Sequence, residues 1–165
     1  MSNFARESGL AALAFARQMT VGFLDDIPKD KYVHQPMPGA NHALWIAGHI
    51  AWTDDDFLST FGVRDKKLPA SWHKACGYQS KPTTKASDYP AMTEILDKLA
   101  TLREELGNWF KSMSDEKMRS PLPEDWKTFA PNYAGLMNSM ACHESLHAGQ
   151  LTVVRKSLGL APKFG

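Results

Sequence analysis

His143 and His147 stand four residues apart. On a helix that spacing puts both imidazoles on one face, their Cβ atoms about 5–6 Å apart, close enough to share one metal ion. Both fall in the run Leu136, Met140, His143, His147, Leu151, Val154 and Leu158, at steps of three and four. Such a run is the inward seam of a helix, where aliphatic residues belong. Another seam reads His42, Trp45, His49 and Trp52, with Gly48 beside its middle histidine. A glycine there lets a neighbouring backbone approach closely. His49, His143 and His147 therefore predict one three-nitrogen centre between two helices. Three protein nitrogens leave a coordination position open, as in catalytic zinc sites. Water or a thiolate in that position would have its pKa lowered and become a nucleophile near neutral pH. The competing reading is three core histidines, each needing a buried partner or costing about 1–3 kcal/mol.

The segment His143-Glu144-Ser145-Leu146-His147 also spells the H-E-x-x-H pattern of zinc peptidases. Its surroundings differ from a peptidase's. No strand pattern precedes it, Ala148-Gly149-Gln150 turns polar, and no His, Asp or Glu follows His147. A third ligand must come from upstream, where His49 is available; a metallopeptidase is the alternative the pattern alone would suggest. Glu144 points roughly 100° away from His143 on a helical wheel. It serves either as a carboxylate or base behind the site, or as a solvated or interhelical charge. Gln150, one turn past His147, is the other supporting candidate, as a hydrogen-bond partner of ligand or substrate or as a helix contact. No general acid or base is otherwise evident. Trp45, Trp52, Trp72 and Tyr78 either wall a pocket or pack in the core. Asp54, Asp55 and Asp56 read as a solvated face or a helix–helix ion pair, with a minor supporting role at the site open to Asp56, which shares the His49 face two turns on. His42 reads as a mouth or cap contact, and His34 and His73 as connector residues.

Four long helical segments must position these residues. The first covers 3–26, with Ser2 as N-cap, an inward series Leu10, Ala14, Arg17, Val21 and Leu24, and a stop at Pro28. The next covers 42–61, capped by Asn41 and ended by Gly62. The third covers 89–113, with Asp88 as N-cap, Pro90 in the first turn and the stripe Met92, Ile95, Leu99, Leu102, Leu106, Trp109. After a short turn capped by Ser114 and an irregular 123–131, Asn132 caps the last helix, 133–158, which Gly159 ends. Between the second and third lies a connector, 62–87, of about 26 residues; that exceeds ordinary connections and predicts a functional or covering segment. Period-two alternation is lacking, so the fold expected is all-α, a four-helix bundle forming one domain over 1–165.

Bulk composition excludes several function classes. The chain has 165 residues, 43% of them hydrophobic, which suits a packed core. Lys and Arg number 19 against 18 Asp and Glu. That balance offers no basic face for nucleic acid and no polybasic membrane anchor. No run approaches the roughly 20 uncharged apolar residues of a span, and the N-terminal stretch carries Arg6, Glu7 and Arg17, unlike a signal peptide. Cys76 and Cys142 read as reduced thiols of a cytoplasmic protein.

Two stretches carry a family resemblance. Asn41-His42-Ala43-Leu44-Trp45-Ile46-Ala47-Gly48-His49-Ile50-Ala51 resembles the second-helix motif of the DinB-like superfamily of metal-dependent enzymes. His143-Glu144-Ser145-Leu146-His147-Ala148-Gly149-Gln150-Leu151 resembles its H-x-x-x-H-x-G-Q signature on the last helix, and Arg155-Lys156-Ser157-Leu158-Gly159 fits its ending. The resemblance implies an up-down-down-up bundle, often a homodimer, holding a divalent metal, nickel or zinc, on His49, His143 and His147. It also implies a thiol-dependent transferase or isomerase acting on a small molecule, with a low-molecular-weight thiol such as bacillithiol or mycothiol as cosubstrate; a hydrolase is the other reaction expected of such a centre. It implies no DNA binding, and the 62–87 connector matches no element of the family. The alternative from a different class is a non-catalytic, metal-binding or structural dimer related to stress.

Overall fold

The structure is a computed structural model and describes residues 2–164. Among them are six α-helices: α1 (Ser2–Leu24), α2 (Ala43–Thr60), α3 (Ala70–Cys76), α4 (Met92–Ser112), α5 (Asp115–Arg119) and α6 (Tyr133–Ser157). Short 3-10 turns occupy Lys29–Lys31, Ala86–Asp88 and Glu124–Trp126. No strand occurs among the described residues; Pro121 and Asn132 form only an isolated bridge. The long helices close a ring: α1 packs along α6, α6 against α2, α2 along α4, and α4 against α1.

Local chemistry sets the ends of these elements. The Asn132 side chain accepts from the Gly135 N–H at 2.8 Å and starts α6, while Gly159, at φ 73°, lies beyond its C-terminus in the left-handed conformation that glycine adopts freely. Ser114 accepts from the Lys117 N–H and caps α5 as expected. At α2 the cap is His42, not Asn41. His42 Nδ1 accepts from the Trp45 N–H at 3.2 Å, and its Nε2–H donates to the Thr83 carbonyl at 2.8 Å. An imidazole with one acceptor and one donor nitrogen does both tasks and is fully buried in doing so. Helix α4 starts at Met92, after Ala91 rather than Asp88, and has no side-chain cap. The cap expected at Ser2 lies outside the residues whose side chains are described.

Two stripes differ from the sequence reading. On α1 the buried residues are Gly9, Leu13, Ala16, Thr20, Phe23 and Leu24, whereas Ala14 and Val21 are exposed. The small and aliphatic residues of α1 fill nearly every face, so its period is ambiguous. On α4 the stripe ends at Phe110, with Trp109 only partly covered.

The core divides into two apolar clusters. One gathers Phe23, Ile50, Trp72, Ile95, Leu99 and Leu151; the other gathers Leu13, Phe57, Leu106, Phe110, Leu136 and Met140. Between them lies a layer of charge with one residue from each long helix: Arg17, Asp54, Arg103 and Glu144. Arg103 grips Asp54 with two bonds of 2.9 and 3.0 Å and reaches Glu144 at 2.6 Å. Arg17 donates to Glu144 at 2.7 Å, to Asp54 at 2.9 Å, and to the Leu99 carbonyl. The arginine side chains are 12% exposed and the carboxylates 2% or less, so the layer is out of water. Two cations and two anions cancel, which is what permits their burial. Burial alone would raise the Asp54 carboxyl, but the two guanidiniums outweigh it and hold it below its usual range.

Asp54 and Asp55 are thus not a solvated face. Asp55 is buried too, bonded to Arg64 at 2.7 Å and to the Lys67 and Leu68 N–H groups, and it ties the connector's start to α2. No helix among the described residues is long and apolar enough to cross a membrane.

Candidate metal centre

Helix α2 brings His49 to α6, where His143 and His147 stand one turn apart. The three Nε2 atoms converge: His49 to His143 at 3.4 Å and His147 to His143 at 3.2 Å. This trio forms a group able to hold a metal ion.

The far side of two rings is fixed. His49 Nδ1–H donates to the Cys76 carbonyl at 2.8 Å, at the end of α3. His147 Nδ1–H donates to Gln150 Oε1 at 3.0 Å, and Asn41 Nδ2 donates to the same oxygen at 3.0 Å. Carbonyl oxygens only accept, so both Nδ1 atoms carry the hydrogen and both Nε2 atoms present lone pairs. His143 Nε2 could carry one hydrogen and satisfy one of those lone pairs; a cation satisfies all three nitrogens. The two distances to His143 Nε2 fit as well. Three nitrogens about 2.0–2.1 Å from a tetrahedral zinc-like ion lie about 3.3–3.4 Å apart. Holding the outer nitrogen by a carbonyl is how ligating histidines are oriented.

Burial keeps these imidazoles neutral. His49 is pushed down to about 3, by burial first and then by His147. His143 is pushed down to about 4, again mainly by burial, with His147 adding to it. Burial lowers His147 as well. Neutral imidazole is the ligating form.

Aromatic rings frame the trio. Trp45 stacks on His49 with centroids 4.7 Å apart and planes 9° apart, and its Nε1–H donates to Ser80 at 2.9 Å. Trp52 lies 6.1 Å from His49 on the same helix. A cleft of about 640 Å³ reaches His49 and His143 from outside and is bordered by Trp52, Asp56, Lys66, His73, Trp126 and Phe129, among others.

The remaining sequence candidates divide. Gln150 does touch a site histidine, through His147. Glu144 does not act as a free carboxylate; Arg17 and Arg103 take both its oxygens. His34 pairs with Ser157 at 3.0 Å, and His73 lies on the cleft's border. Trp72 is core, Tyr78 is exposed and lines the cleft, and both cysteines are free thiols, Cys142 exposed and Cys76 buried with its thiol pushed up to about 12.

Sequence reasoning missed several residues. The Cys76 carbonyl leaves no side-chain trace; Gly48 is its indirect signal, since a Cβ there would meet Cys76 Sγ at 2.8 Å. Asn41 reads as a cap in the sequence but donates to Gln150 in the structure. Arg103 is hidden among the charges of α4, whereas Arg17 sat openly in the apolar series of α1. Trp126 and Phe129 border the cleft from a stretch that looks irregular.

Helices in a ring, with a three-imidazole centre at the crossing of two of them, define an all-helical protein equipped for a metal ion. The chain belongs to the DinB superfamily, whose family model matches residues 12–151. Among solved structures it is similar to a conserved protein from Enterococcus faecalis, at 17% sequence identity and a TM-score of 0.73, over 93% of this chain and 96% of that one. That likeness is one of fold. No curated protein matches the chain.

Proposed function

We propose that this chain is a divalent-metal-dependent enzyme that holds nickel or zinc on His49, His143 and His147. Its reaction is transfer to or from a low-molecular-weight thiol, or hydrolysis, of a small molecule. The observation that carries the reading is the approach of the His49 and His147 Nε2 atoms to His143 Nε2, at 3.4 and 3.2 Å, while carbonyls hold the opposite nitrogens of His49 and His147. When bound, the ion would act as a Lewis acid that lowers the pKa of a thiol or water beside it.

The chain's own residues do the rest. Cys76 and Gln150 fix the tautomers of His49 and His147, so neither ring must reorganise to ligate. Trp45 covers one face of His49 and excludes water from it. The cleft leaves His49 and His143 reachable by a small molecule, which favours an enzyme over a closed structural site. Glu144 is held by two arginines one residue from His143, so the base of an H-E-x-x-H peptidase is engaged elsewhere.

We further propose that a second copy covers the outer faces of α1 and α6, where Phe15, Leu146 and Val153 are exposed. Elemental analysis of the purified protein tests the centre: one equivalent of nickel or zinc is expected, lost in His49→Ala and in His143→Ala. Metal content unchanged by both substitutions would refute it. Conjugation assays with bacillithiol and mycothiol then test turnover, which should require the metal. Light scattering should give twice the 18.4 kDa chain mass.

A further inference from the structure

The cleft beside the three histidines has a chemical character of its own. Its volume, about 640 Å³, lies within the range of small-molecule sites. Its inner surface is aromatic. Trp52 leads in from His49, their planes 24° apart. Phe57, Trp126 and Phe129 supply a cluster of rings with centroids 5.1–6.1 Å apart. Rings at these separations present both faces and edges, the two geometries by which a further ring is held. Its charged lining residues are Lys66, Asp56 and Asp125, with His73 beside them. Lys66 is already committed, 2.6 Å from Asp56 and 5.6 Å above the Trp52 ring. The cleft therefore offers no surplus cation to a polyanion, and Trp52, Phe57, Trp126 and Phe129 give it flat apolar surface, with Thr53 and Tyr78 as its hydroxyl groups.

We propose that the small molecule taken by this cleft has a planar aromatic body and no strong net charge, lying against Trp52 and Trp126 with its reacting end at His49 and His143. The inference rests on the metal-centre reading above. It commits the site to an aryl compound in place of an aliphatic chain or a phosphorylated metabolite.

Hydroxamates separate the two ideas, because each carries the same metal-binding head on a different body. The zinc-loaded full chain is titrated with acetohydroxamate, cyclohexanecarbohydroxamate and benzohydroxamate, read by calorimetry and by quenching of tryptophan fluorescence. Benzohydroxamate is expected to bind at least tenfold more tightly than acetohydroxamate and at least threefold more tightly than the cyclohexane compound. Trp126→Ala should remove most of that gain and leave acetohydroxamate within about twofold; Trp126→Leu, which keeps the apolar bulk, should lose the aryl preference over cyclohexane. The wild-type comparison stands even if a variant folds poorly. Equal affinity for the three compounds, with zinc bound, overturns the aromatic assignment and leaves the metal centre standing. An equal gain from cyclohexane and benzene bodies overturns it too, by showing an apolar cleft without preference for flat rings. If the chain takes up no zinc, or His143→Ala takes up as much as wild type, the metal reading itself fails.

Discussion

Which nitrogen of each imidazole carries the hydrogen decides what the centre can do. His49 and His147 are locked with Nδ1–H outward by one carbonyl each. Gln150→Ala is expected to weaken metal binding about 10–100-fold without abolishing it, measured by competition with a chelator. Asn41→Ala should give a smaller loss in the same direction, because Asn41 only holds Gln150. Acid acts on the same rings. Their folded pKa values are depressed from 6.5, to about 3 for His49 and about 4 for His143. The metal-free folded chain therefore binds fewer protons than the unfolded chain below about pH 6.5. The stability this contributes is present above that pH and is lost as pH falls toward 4. Urea midpoints of the chelator-treated protein at pH 7, 6, 5 and 4 should decline, and the decline should be shallower in His143→Leu. Residues of this kind were legible in sequence when they interrupted an apolar seam, as His49 and His143 do. The role of Asn41 was not, because two adjacent polar residues compete to cap α2, and His42 takes the cap and leaves Asn41 for Gln150.

At the level of elements, the connector between α2 and α4 is a working part. Asp55 ties its start, α3 delivers the Cys76 carbonyl to His49, Ser80 receives Trp45, and Thr83 receives His42. Its length announced a covering role, but α3 spans only seven residues. That is too short for a periodic signal, so the helix was invisible in sequence. Gly48 is where α2 and α3 touch. Gly48→Ala places a methyl 2.8 Å from Cys76 Sγ, deep in the core where neither side can yield freely. A cost of about 1–3 kcal/mol is expected, together with weaker metal retention, since the displaced residue holds His49. Thermal melts and metal content on the same variant check both. The ionic layer is likewise a matter of elements. Arg103→Ala strips one cation from two buried carboxylates and should cost about 3–5 kcal/mol in chemical denaturation. In sequence, Arg103 looked like any charge on a solvated helix face, and Glu144 looked like part of a catalytic pattern. What decides their role is a partner on another helix, and helical periodicity does not reveal partners.

Taken whole, the molecule would gain an inter-helix tie if the proposed metal joined α2 to α6. Metal at about one hundred times its Kd would stabilise the folded state by about 2.7 kcal/mol. For a chain of this size that raises Tm by about 5–10 °C. Scanning calorimetry of metal-loaded and chelator-treated protein should show the shift in wild type and lose it in His143→Ala. The all-helical class and the helix order were readable from apolar periods alone. How the long helices are aligned along their axes was not, since aliphatic seams tolerate sliding. Here the four charges matter in another way. If one helix slid by a single turn, about 5.4 Å, its charge would leave the layer and strand its partners in an apolar core. Leucines slipping past one another carry no comparable penalty. His143 adjoins Glu144, and His49 precedes Asp54 by little more than a turn. The ionic layer is therefore the gauge that sets α2 and α6 at matching heights, so that the imidazoles meet level before any ion arrives to join them.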